Sequence, residues 1–155
     1  MSLKCNPTPF DKIDYKSVIN GELTANRELS AFFLVHGFIE AYLKEWLYYI
    51  GNKSKSALTK NLIEEIDKIN FRSVLLLHLA IGSIDPKLYA KIDGLNKQRN
   101  KLAHELIKID IKDVKVVNKL RKSAEMGLQI CDEISVLYRS AIDKRAKEVE
   151  KLKPK

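Results

Sequence analysis

The sequence predicts an all-α fold, an up-and-down bundle of four to five helices. Three observations point there. Glycine (6) and proline (4) are scarce among 155 residues, and long stretches lack both, which disfavours the tight turns of a β fold. Apolar residues recur at steps of three and four along most of the chain, the spacing of one helix face. The composition is 45% hydrophobic and 31% charged, that of a globular chain whose length suits one domain with its own core. Residues 1–155 are therefore read as a single domain.

Residues 1–23 contain Pro7, Pro9 and Gly21 and read as a mostly irregular lead-in with room for one helical turn. The first long helix is expected from Thr24, a good N-cap, to Ile50, with Gly51 as its stop. Two stripes run along it. Phe32, Val35, Ile39, Tyr42, Trp46 and Tyr49 are all apolar or aromatic. Leu29, Phe33, His36, Glu40, Leu43, Leu47 and Ile50 share the spacing but carry two polar residues at their centre. A helix apolar over so wide an arc is expected to be covered on two sides. Its aromatic stripe reads as core or dimer interface rather than as a platform for stacked bases.

A basic loop, "NKSKS" at 52–56, precedes a helix expected over 57–69, with Leu58, Leu62, Ile66 and Ile69 on one face. The apolar segment "FRSVLLLHLAIG" then ends at Gly82; its helical neighbours favour a helix over a strand. Asp85 and Pro86 are a strong start signal for the next helix, running to about Leu106, with a bend or break expected at Gly94. After "IKIDIKD", a last helix is expected from Val114 towards Glu150. Its apolar stripe is Val117, Leu120, Ala124, Leu128, Cys131, Ile134, Tyr138 and Ile142.

Bulk properties exclude several function classes. Two distant cysteines, Cys5 and Cys131, give neither a disulfide framework nor a zinc site and suit a reducing, cytoplasmic setting. No spacing of side chains suggests a metal or another cofactor. There is no N-terminal apolar h-region and no run approaching a membrane span, so no membrane partner is expected. The net charge of +8 permits an RNA partner without requiring one. The tail contributes to it. From Arg139 to Lys155 seven basic residues face three acidic ones, a net of +4, in what also reads as a solvated helix end. The basic C-terminal tail proper is 143–155.

The stretch "LNKQRNKLAHEL", 95–106, is the most informative. Leu88, Ile92, Leu95, Leu102 and Leu106 make a helical stripe whose unfilled position is Arg99. A guanidinium cannot shed its charge, so a buried one needs a carboxylate, a phosphate or water. Glu40, one turn after His36 on the mixed stripe, is the expected internal partner, either within the chain or across a subunit boundary. His104 lies about 140° around the helix from Arg99, whereas Asn100 and His104 share a face. A buried Arg–Glu pair that only fixes register is the plain alternative.

"LNKQRNKLAHE" resembles the motif of the HEPN superfamily of small α-helical domains: arginine, four to six residues, histidine, often with a polar residue directly after the arginine. Here the motif reads Arg99, Asn100, three residues, His104. "VHGFIEAYLKEWL" is similar to the first long helix of that family, where a residue such as Glu40 points towards the motif. Arg72 and His78 repeat the bare spacing, but His78 stands among leucines and no polar residue follows Arg72. The chain departs from the HepT-type nuclease toxins at Leu106, where they commonly carry tyrosine.

The resemblance implies metal-independent cleavage of single-stranded RNA in the cleft of a homodimer, as in toxins and defence effectors. On this expectation Arg99 and Asn100 hold the scissile phosphate, and His104 serves as general acid or base. Glu40 and His36 support the site, and Lys97 and Lys101 bind substrate. An antitoxin or another regulatory protein is an expected partner. Two other readings stand beside it. One is a non-catalytic dimer of the same fold that binds RNA, a nucleotide or a protein; the other is an unrelated helical interaction module.

Overall fold

The computed structural model describes residues 14–51, 60–105, 108 and 110–151, and the side chains of 51, 60–63, 145, 146 and 148–150 are outside that description. Six helices occur among the described residues, one or two more than the sequence suggests: α1 (Tyr15–Thr24), α2 (Glu28–Gly51), α3 (Lys60–Lys68), α4 (Phe71–Ala80), α5 (Pro86–Glu105) and α6 (Val114–Lys151). No described residue is in a strand.

The additional helix is α1, which replaces the expected irregular lead-in over its second half. Asp14 caps it, accepting from the Ser17 amide at 3.1 Å. Ile19 and Leu23 face inward, one turn apart. Gly21 sits inside the helix, and both prolines precede Asp14, so neither breaks it. The first long helix therefore starts later than expected. Thr24 does not cap it; its hydroxyl donates back to the Asn20 carbonyl at 2.8 Å. The turn between α1 and α2 runs through Asn26, whose φ of 54° is left-handed, a conformation asparagine tolerates better than most residues. Gly51 is the last helical residue of α2 rather than its stop. The loop at 52–56, Cys5, Leu58 and Leu106 lie outside the described residues.

The other starts follow their capping signals. Asn70 accepts from Ser73 N at 3.0 Å ahead of α4, and Asp85 accepts from Leu88 N at 2.7 Å ahead of α5. Asp113 accepts from Lys115 N at 2.8 Å ahead of α6. The segment from Phe71 is helical, as its flanks suggest, and ends at Gly82 with φ 70°. No break occurs at Gly94; α5 runs through it. Local propensity is outweighed there by the buried neighbours Ile92 and Leu95.

Contacts fix the helix directions. His36 reaches Asn96 and Arg99 lies over Phe33, so α2 and α5 are antiparallel. Lys91–Glu133 and Gln98–Ser123 make α5 antiparallel to α6. Tyr15–Asp132 and Arg121 on Leu23 O do the same for α1 and α6. The chain thus alternates up and down as it fills the bundle, with α2 at its centre.

As its wide apolar arc requires, α2 is covered on two sides. Phe32, Val35, Ile39 and Leu43 are fully buried, together with Ala124, Cys131 and Ile134 of α6. Burial of each large aliphatic or aromatic side chain contributes about 1.5–3 kcal/mol. Tyr42, Trp46 and Tyr49 belong to this core, with Trp46 and Tyr49 within 6 Å of the Tyr138 ring. No helix among the described residues is long and apolar enough to cross a membrane.

Candidate functional site

The second half of α5 carries the motif into the end of the bundle where α1 finishes and α2 and α6 begin. Leu88, Ile92 and Leu95 anchor α5 in the core, each at most 1% exposed. One turn on, the stripe reaches Arg99, which is half-buried, and then Leu102, also half-buried. The guanidinium does take the stripe position left open by the sequence.

Its partners differ from those expected. Glu40 pairs along its own helix with Lys44 at 2.9 Å, and no ion pair joins it to Arg99 within the chain. The spacing of four residues lets Lys44 reach that carboxylate without any ordering between helices. Arg99 instead donates from Nη1 to Asn100 Oδ1 at 3.1 Å and lies 5.9 Å from the centre of the Phe33 ring. Its Nε is buried and has no hydrogen-bond partner among the described residues. A permanent cation therefore sits in a half-buried place, held by a neutral amide and a ring face, and in no ion pair among the described residues.

Behind Arg99 is a buried polar pair. His36 Nε2 lies 3.0 Å from Asn96 Oδ1, and the His36 ring packs on Phe71 at 4.6 Å between centroids. The carbonyl of Asn96 accepts, so the His36 proton is on Nε2. Burial pushes the His36 pKa down, and the Arg99 charge adds to this against the opposing pull of Asn96 and Glu40. Neutral His36 can stand beside the guanidinium without repelling it.

Asn100 and His104 are exposed on the outer face of α5. No hydrogen bond joins His104 to Arg99 or Asn100 within the chain, although Arg99 and Asn100 do meet. Lys97 is engaged by Asp93 at 2.7 Å, whereas Lys101 is exposed and in no ion pair among the described residues. Of the expected group, then, Arg99, Asn100 and His36 gather at one place. His104 stands one turn further along the surface, and Glu40 is held elsewhere.

Sequence reasoning missed two members, Phe33 and Asn96. Asn96 is one turn before Asn100, so helical spacing from the motif would have found it. Phe33 was visible on the mixed stripe of α2, but its role beside a cation depends on the register between α2 and α5. His78 is settled differently: it is fully buried, with Nε2 donating to Leu43 O at 2.8 Å and Nδ1 2.6 Å from Ser83 Oγ. Both ring nitrogens are used inside the fold, so the second arginine–histidine spacing is structural. Arg72 is exposed at the other end of that spacing.

A cleft of about 410 Å³ lies on the opposite side of α5, between its last turns and the start of α6. It contains Lys101 but not Arg99, Asn100 or His104. Among the described residues no group of three or more His, Cys, Asp or Glu side chains is arranged to hold a metal ion. Compared with known proteins, the chain matches no family model, no curated protein and no solved structure.

Proposed function

We propose that this chain is a HEPN-like, metal-independent endoribonuclease that cuts single-stranded RNA as a cytoplasmic homodimer. The observation that carries the reading is the Arg99 guanidinium: half-buried, in no ion pair among the described residues, and tied to Asn100, with the exposed His104 one turn further along the helix. Such a cation is poised for an external oxyanion, and the planar fork of arginine fits a phosphate.

The chemistry needs few groups. The RNA 2′-oxygen attacks the adjacent phosphorus, the bond to the 5′-oxygen breaks, and a 2′,3′-cyclic phosphate remains. His104 takes the 2′-hydroxyl proton or returns one to the departing 5′-oxygen, the general acid–base work that histidine most often performs. Arg99 and Asn100 hold the phosphate and offset the charge that grows on it. His104 and Arg99 are about 140° apart on one helix, which a two-fold axis remedies by adding a second copy of each group to the same cleft. As a toxin or defence effector the enzyme would be restrained by an antitoxin or another regulatory protein.

The separation of His104 from Arg99 within one chain favours a second reading, a non-catalytic dimer that grips RNA, a nucleotide or a protein. Purified protein incubated with single-stranded RNA in EDTA decides between them. The nuclease reading expects 2′,3′-cyclic phosphate ends, a DNA control left whole, and no cutting by a folded His104→Ala variant. Binding without cutting supports the second reading.

A further inference from the structure

One segment of this protein carries a large excess of positive charge. From Lys97 to Lys122 nine basic residues face three acidic ones, a net of +6 against +8 for the whole chain. The structure folds that segment around the cleft between α5 and α6. Several cations elsewhere are compensated: Lys16 pairs with Asp132, Arg27 with Glu22, Lys44 with Glu40, Lys68 with Glu65 and Lys91 with Glu133. Around the cleft, Lys101, Lys108, Lys115, Lys119 and Lys122 are exposed and in no ion pair among the described residues.

The cleft itself is more than a charged surface. Leu102, Val116 and Leu120 give it an apolar floor, with Lys101, Lys108 and Lys119 at its edges. Its inner wall is fixed by a reciprocal contact between Gln98 and Ser123, at 2.8 and 3.1 Å. Glu105, Asp110 and Asp113 also line the cleft, with Asp110 accepting from Lys112 N at 2.9 Å and Asp113 from Lys115 N at 2.8 Å. The excess of positive charge comes from the exposed lysines that flank the lining, Lys112, Lys115 and Lys122.

We propose that this cleft is the track along which a single strand of RNA crosses the protein, with phosphates on the lysines and a base over the apolar floor. Lys101 connects it to the motif, because it lies only about 60° around α5 from His104. A strand held at the Arg99 site can pass over Lys101 and enter the cleft without leaving α5. Lysine edges follow a flexible backbone, and the aliphatic floor accepts any base, so the track carries affinity rather than sequence choice. The proposal rests on the reading of RNA as the ligand, but not on cleavage.

The test is binding of a fluorescent single-stranded RNA to the full chain at several salt concentrations. One variant carries Lys108→Ala, Lys115→Ala and Lys119→Ala. A matched control carries Lys144→Ala, Lys147→Ala and Lys151→Ala, removing the same charge from the far end of α6. The cleft variant is expected to lose at least about tenfold in affinity, and its log–log salt slope should shrink by about 2, at roughly 0.7 per lost phosphate contact. The control should stay near wild type. Unchanged affinity and slope in the cleft variant, an equal loss in the control, or no RNA binding by wild type each overturns the proposal. Cleavage assayed on the same wild-type protein keeps the two ideas apart: a wild-type chain that binds through the cleft yet never cuts supports this track and sinks the nuclease reading.

Discussion

His36 of α2 and Asn96 of α5 form a buried hydrogen bond of 3.0 Å directly behind the Arg99 guanidinium. Burial lowers the pKa of His36, and burial likewise lowers that of His78. Both therefore resist protonation in the folded chain more than in the unfolded one. Their contribution to stability is whole above the ordinary value of about 6.5 and is lost as pH falls from there through the lowered folded values. As pH falls below about 6.5, unfolding free energy should therefore decline, each ring adding at most one proton to the slope, or about 1.4 kcal/mol per pH unit. In a His36→Gln variant the decline should be shallower. Denaturant titrations across that range measure it, and a flat profile for wild type contradicts the neutral assignment of both rings.

A second prediction concerns a close approach of α2 and α6 at Gly127. A Cβ added at Gly127 would come within 1.9 Å of Val35 Cγ1. Val35 is fully buried and β-branched, so it has little freedom to turn aside. Gly127→Ala gains up to about 1 kcal/mol of helix propensity, and overpacking costs about 1–3 kcal/mol. The net expectation is a loss of about 1–2 kcal/mol, or several degrees of melting temperature. Adding Val35→Ala should relieve the clash, so the double variant loses less than the sum of the singles.

Arg121 supports the turn that precedes α2. Its Nη2 is 2.5 Å from Glu28 Oε1 and 2.9 Å from the Leu23 carbonyl at the end of α1. Glu28 is buried, while Arg121 is partly open to water. Arg121→Met leaves a buried carboxylate without its cation, a change that costs about 3–5 kcal/mol in fully buried pairs and less here. A loss of about 2 kcal/mol is expected by thermal or chemical unfolding. Glu28→Gln combined with Arg121→Met should recover part of it, because no charge is then left behind.

The helical class, the starts of α4 and α5 and the buried face of α6 were legible because each rests on local chemistry: a cap, a proline, a period of three and four. Asp85 before Pro86 is such a signal, and the chain obeys it. The lead-in was misread because Pro7 and Pro9 coloured a segment whose helix begins only at Asp14. Arg99 was recognised as out of place in its stripe, but its partner was not. Whether Glu40 turns to Lys44 or to Arg99 depends on the register of α2 against α5, and no local pattern encodes that. The excess of charge over Lys97–Lys122 is present in the sequence too, but which of those side chains share a cleft depends on how α5 packs against α6.

The last prediction separates a functional Arg99 from a structural one. Leucine at this position would complete the stripe of Leu88, Ile92, Leu95 and Leu102 and remove a buried Nε that has no partner. An unsatisfied buried donor costs about 1–3 kcal/mol, and the added apolar contact works in the same direction. The lost contact with Phe33 offsets about 0.5–1 kcal/mol of this. Arg99→Leu is therefore expected to raise stability by about 1 kcal/mol, roughly 2–4 °C in melting temperature, while abolishing RNA cutting. Stability gained at the expense of activity is the signature of a residue kept for chemistry rather than for the fold. If Arg99→Leu instead unfolds more easily than wild type, the guanidinium serves the bundle, and the case for a phosphate grip at this position fails.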